Sequence, residues 1–125
     1  MNIILWVLQV LLALAFLAHG WILLFPSPEM LAGMSSLPRA FWIFLGVAEV
    51  LAAVGLPLPG ITRILPGLVP CAAAGLMVVM ISATIFHIAR GEMGAAITTA
   101  VLLVMATSVA YMRWKVQPIL PRPAA

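Results

Sequence analysis

Four long apolar runs, separated by short breaks rich in proline and polar residues, dominate the chain. The first spans residues 2–25 and is interrupted only by Gln9 and His19, stopping at Pro26-Ser27-Pro28, where a helix cannot continue. The second, residues 39–56, is the shortest; it carries Glu49 in its middle and meets Pro57-Leu58-Pro59-Gly60, which predicts a sharp end. The third covers residues 66–88, with Pro66 and Pro70 in its first turns, where a missing N–H costs least. The fourth, residues 93–113, runs through Thr98, Thr99, Thr107 and Ser108. At about 1.5 Å per helical residue, runs of about 20 residues cross a hydrocarbon core of about 30 Å. The connection over residues 26–38 holds Glu29 but also Met30, Leu31 and Met34, which predicts a loop lying partly in the interface; Ser36-Leu37-Pro38-Arg39 reads as a helix start. Residues 115–125 contain three prolines and read as an irregular tail.

Short connections between four such runs predict an all-α, integral-membrane, antiparallel four-helix bundle over residues 1–114. Composition agrees: 66% of the 125 residues are hydrophobic and 7% charged, against about 25% charged in a soluble domain. The first run has almost no positively charged leader and is longer than a signal-peptide core, so it is expected to be a retained membrane helix. The single cysteine, Cys71, excludes an internal disulfide and a cysteine-rich metal site and reads as a small apolar residue. Six basic residues give a net charge of +3 without clustering, which suits anchoring at headgroups and not nucleic acid. Arg63, Arg113, Lys115 and Arg122 fall on the side of the termini and Arg39 and Arg90 on the other. Four against two predicts an N-in, C-in orientation with a cytoplasmic tail.

This topology collects His19, Glu29, Arg39, Glu49, His87, Arg90 and Glu92 in the outer half, leaving Gln9 and the flanking bases to the inner half. Rise per residue puts His19 about 9 Å and Glu49 about 14 Å below the surface, with His87 near the boundary. A mid-membrane acidic residue costs about 2.5–3.5 kcal/mol on insertion scales. Glu49 is therefore expected to face the bundle interior with a partner, His19 first and Thr84 second. An intramembrane ionisable residue is a functional candidate by default; the competing reading for Glu49 is a hydrogen bond that fixes packing. Glu49, His19, Thr84 and His87 are the candidates for ligand binding or proton handling. Arg90 and Glu92 are candidates for the rim, where a local ion pair at a helix end is the simpler reading. The few cysteines and carboxylates predict no metal site. The depth difference between His19 and His87 argues against a haem bridging them.

Gly46-Val47-Ala48-Glu49-Val50-Leu51-Ala52-Ala53-Val54-Gly55-Leu56, with Pro57 and Pro59 after it, resembles the second helix of DoxX-like membrane proteins. Phe86-His87-Ile88-Ala89-Arg90-Gly91-Glu92 is similar to the end of that family's third helix, and the run over residues 2–20 to its first. The likeness extends to about Tyr111. Family members often carry a lysine soon after the first-helix glycine; here Trp21-Ile22-Leu23-Leu24-Phe25 has none, so no role of that lysine carries over. The resemblance implies a four-helix protein of the bacterial cytoplasmic membrane, associated with quinone-linked redox or oxidative-stress systems, with a quinone-like ligand and a redox partner subunit as expectations. The alternative is a non-enzymatic scaffold or accessory subunit, suggested by small residues on the helices that permit close approach to a partner or a second copy. Catalysis by the isolated chain is not implied.

Overall fold

The computed structural model describes residues 2–33 and 37–123. The expected helix start at Ser36 and the loop positions Met34 and Ser35 lie outside the described residues, as do Met1, Ala124 and Ala125. Among the described residues the secondary structure is entirely helical: α1 (Asn2–Leu24), α2 (Pro28–Gly33), α3 (Arg39–Gly55), α4 (Leu58–Thr62), α5 (Leu68–Ala89) and α6 (Met93–Tyr111), with a π-helical turn at Met112–Val116. Four spans are long and apolar enough to cross a membrane: Asn2–Leu24, Arg39–Thr62, Leu68–Ala89 and Met93–Val116.

Both faces of each span are apolar, so the interior is marked by size and polarity. On α1 the buried stripe is Leu5, Gln9, Leu12, Phe16, Gly20 and Leu23, at the three- and four-residue spacings of one helix face. On α3 it is Gly46, Glu49 and Ala53. The opposite faces carry exposed large hydrophobics such as Ile3, Phe44, Val78 and Ile97, which in a bilayer meet lipid at no cost.

Packing runs around a ring. α1 lies along α3, α3 touches α5, α5 lies along α6, and α6 returns to α1, with the α1–α3 and α5–α6 pairs the intimate ones. The reason for the first pair is local: a Cβ added at Gly20 would stand 2.9 Å from Val50 Cγ2 and 3.0 Å from the Gly46 carbonyl oxygen. Two glycines thus bring the backbones of α1 and α3 together, the close approach that small residues allow between membrane helices.

Two boundaries differ from the pattern's expectation. The step at Pro57 bends the second span instead of ending it, because Leu56 and Pro57 keep right-handed helical dihedrals. Pro59 falls in the first turn of α4, where it gives up no needed donor. The span ends at Arg63, which adopts a left-handed conformation (φ 58°). The fourth span, expected to close at residue 113, continues through the π-helical turn, closed by a Gln117 N–H to Met112 carbonyl bond of 2.6 Å. The tail is irregular and docked: the Arg122 N–H donates to the Arg63 carbonyl, and Arg63 donates to the carbonyls of Leu120 and Pro121.

The connectivity gives the bundle two chemically distinct ends. All three acidic residues lie toward one, with the end of α1 and the start of α3; this is called the carboxylate end. The other, the tail end, holds the N-terminus of α1, α4 and the docked tail.

Candidate functional site

Glu49 is 1% exposed, and its Oε2 lies 2.6 Å from His19 Nδ1. Counting residues inward puts Glu49 deeper than His19, yet side-chain direction closes the difference. A helical Cα–Cβ bond tilts toward the helix N-terminus. Antiparallel α1 and α3 therefore aim His19 deeper and Glu49 shallower, and the two meet. Gly20, next to His19, and Gly46, one turn from Glu49, set the helix separation at which they can. One proton between Nδ1 and Oε2 completes the bond, leaving His19 Nε2 as the ring nitrogen for other partners. The His19 side chain is 55% exposed, so the pair is a buried carboxyl reached through a half-open imidazole.

That imidazole lines a cleft of about 410 Å³ between α1, α5 and α6. Phe16, Met80 and Leu102 give it apolar walls, and His19, His87, Thr98 and Thr99 supply polar groups. Clefts of comparable volume occur elsewhere: one of about 410 Å³ beside Val10, Leu14 and Val54, and one of about 400 Å³ on the α3–α5 seam. Size does not set the first cleft apart; its two histidines do.

The other candidates are placed as follows. Thr84, the second expected partner of Glu49, turns instead toward α6. Its hydroxyl lies 2.7 Å from the Met80 carbonyl and 2.9 Å from Thr99 Oγ1, which in turn lies 3.0 Å from the Ala96 carbonyl. Two hydroxyl hydrogens serve these three contacts, so Thr84 ties α5 to α6 and stays out of the Glu49 pair. His87 Nδ1 lies 3.0 Å from Glu92 Oε2, and Arg90 Nε donates to the other carboxylate oxygen while its guanidinium stacks over Phe86. The hydrogen bond from His87, followed by the Arg90 guanidinium, holds the Glu92 carboxyl below the ordinary carboxylate range. Gly91, at φ 72°, makes the turn that returns Glu92 to these partners. His87 thus belongs both to the rim cluster and to the cleft wall. Arg39, at the same end, donates to the carbonyls of Leu23 and Leu24 and closes the end of α1. Among the described residues no three metal-ligating side chains come together.

One polar centre was not legible from the residue pattern. Arg113, read there as a flanking base, is 3% exposed. Its Nε donates to Gln9 Oε1 at 2.6 Å and its Nη1 to Asn2 Oδ1 at 2.7 Å and the Gln117 carbonyl at 3.1 Å. Its guanidinium also stacks over Trp6. Gln9 passes the connection on, donating to the Leu56 carbonyl at 2.7 Å. The available signal was Gln9 itself, an amide on an otherwise apolar helix face that needs a partner.

No curated protein and no solved structure matches the chain. The DoxX-like family matches over residues 7–109, which takes in the second and third spans, most of the first and fourth, the His19–Glu49 pair and the His87–Glu92 turn. This chain is a multi-pass membrane protein of the DoxX-like family.

Proposed function

We propose that the protein is a subunit of a quinone-linked redox system and binds a quinone-like ring in the cleft between α1, α5 and α6. The observation that carries this reading is the pairing of His19, open to the cleft, with Glu49, closed behind it. The cleft's volume suits a ring, and apolar walls with a few polar groups are what such ligands require. Electrons come from a partner subunit; the contribution of this chain is to hold the ring and manage a proton.

The pair supplies that proton management with little motion. With the shared proton on Glu49, the carboxyl donates to Nδ1, and Nε2 carries a hydrogen that it donates to a quinone oxygen. With the shared proton on Nδ1, the imidazole donates to the Glu49 carboxylate, and Nε2 accepts from a hydroquinone hydroxyl. Moving one proton from Nε2 to the ligand and one from Oε2 to Nδ1 converts the first arrangement into the second, leaving a carboxylate to be reprotonated. His87, Arg90 and Glu92 form the rim on this reading. Residence in the bacterial cytoplasmic membrane, with both termini inside, belongs to the same proposal.

The test is to purify the protein with its native lipids, extract it and measure quinone by absorbance, then titrate a soluble quinone analogue against the wild type and His19→Phe in nanodiscs. Co-purified quinone and about tenfold weaker binding in the variant are expected, the loss of about one strong hydrogen bond. Absence of quinone, with identical titrations, overturns the proposal.

A second reading, a scaffold within a larger complex, draws on the α3–α5 seam, where Ala48, Ala52, Gly55, Ala72 and Gly75 leave room for another helix. Recovery of the protein alone and monomeric from a mild-detergent pull-down counts against it.

A further inference from the structure

Among the described residues, the tail end contains a buried cation with no anion to match it. Arg113 is 3% exposed, and every acceptor it reaches is a neutral amide or carbonyl: Gln9, Asn2 and Gln117. Its Nη2 is enclosed and has no partner. None of the three acidic side chains is near, since Glu29, Glu49 and Glu92 all lie toward the carboxylate end. A buried guanidinium normally has a carboxylate or phosphate across its fork, because an uncompensated charge away from water is strongly disfavoured. Three further bases, Arg63, Lys115 and Arg122, are exposed at the same end.

We propose that the tail end is a binding site for the phosphate of an anionic phospholipid, held by the Nη1–Nη2 edge of Arg113. One phosphate oxygen takes the unpartnered Nη2; a second replaces the Gln117 carbonyl on Nη1, the longest of the three bonds Arg113 makes. Bidentate pairing of this kind is the strongest use of a guanidinium. The segment that yields is the docked tail, residues 117–122, which is irregular and reaches the bundle through Arg63, Gly60 and Arg113. The apolar surface beside it, formed by Ile3, Trp6, Val7, Val10 and Leu11, receives the acyl chains. Basic pockets at helix ends facing a headgroup layer take anionic lipids for these reasons.

The experiment is native mass spectrometry of the full chain equilibrated with equimolar phosphatidylglycerol and phosphatidylcholine, repeated for Arg113→Gln and for the double variant Lys115→Gln/Arg122→Gln. The wild type is expected to retain phosphatidylglycerol at least about fivefold over phosphatidylcholine, and Arg113→Gln to lose about fivefold of that preference, the weight of one basic contact. The double variant is expected to keep most of it. Equal retention of the two lipids by the wild type overturns the proposal without any variant, so a misfolded Arg113→Gln leaves it decidable. A preference lost in the double variant but intact in Arg113→Gln overturns it in favour of diffuse surface attraction. Thermal stabilisation by millimolar inorganic phosphate equal to that by phosphatidylglycerol overturns the lipid assignment in favour of a free anion.

Discussion

A carboxyl group in mid-membrane persists only with a partner, and Glu49 has His19. Interhelical hydrogen bonds in membranes contribute about 0.6 kcal/mol on average and at most about 1.7. Glu49→Gln preserves a hydrogen-bonding group of the same size and is expected to change unfolding free energy in mixed micelles by no more than about 0.6 kcal/mol. Glu49→Ala removes the bond and leaves a void, and is expected to cost about 1–3 kcal/mol. If both variants are equally stable, the pair has no packing role. At the rim, Glu92 titrates below the ordinary carboxylate range because His87 and then Arg90 hold its charged form. The contribution of this pairing to stability is complete above the unfolded carboxylate value and is lost as pH falls through the lowered native one. Amide exchange at Gly91 and Glu92 is expected to accelerate, relative to the intrinsic rate, only on acidification below that ordinary value; protection unchanged down to strongly acid pH contradicts the assignment.

Helix positions were legible because apolar runs closed by prolines have one solution in lipid. What the pattern could not show was which proline bends and which terminates. Pro57 bends because Leu56 and Pro57 keep helical dihedrals and Arg63 supplies the stop six residues later. The His19–Glu49 pairing was accessible from depth and helix direction, whereas Arg113 was not, since its burial depends on a π-helical turn and on Asn2 and Gln9 at the far end of the chain. Thr84 turns away from Glu49 for a related reason: threonines on two facing helices satisfy each other before they reach a third. Glycines separate by neighbourhood in a way that sequence does not reveal. Gly20→Ala, which meets the Gly46 carbonyl and Val50, is expected to cost about 1–3 kcal/mol by forcing α1 from α3. Gly75→Ala meets nothing within 4 Å and is expected to stay within about 0.5 kcal/mol of wild type in the same unfolding assay. Equal costs at the two positions contradict the close-packed α1–α3 seam.

The whole molecule is a ring of two helix pairs whose ends differ in charge, with a largely apolar cleft bearing two histidines toward the carboxylate end and a docked, basic tail end. The proposed N-in, C-in orientation is checked in intact cells with Cys71→Ala as background: an impermeant maleimide is expected to label Glu29→Cys and spare Lys115→Cys, and the reverse pattern inverts the topology. The proposed function rests on the cleft between α1, α5 and α6. Two other clefts match it in size, so chemistry alone selects it. The most direct measurement is photolabelling of the protein in nanodiscs with an azidoquinone, followed by peptide mapping. The expected labels fall on residues 15–19 of α1 and 95–102 of α6, competed away by unlabelled quinone and reduced in His19→Phe. Label confined to Val10, Leu14 and Val54, or insensitive to competition, contradicts the proposed site.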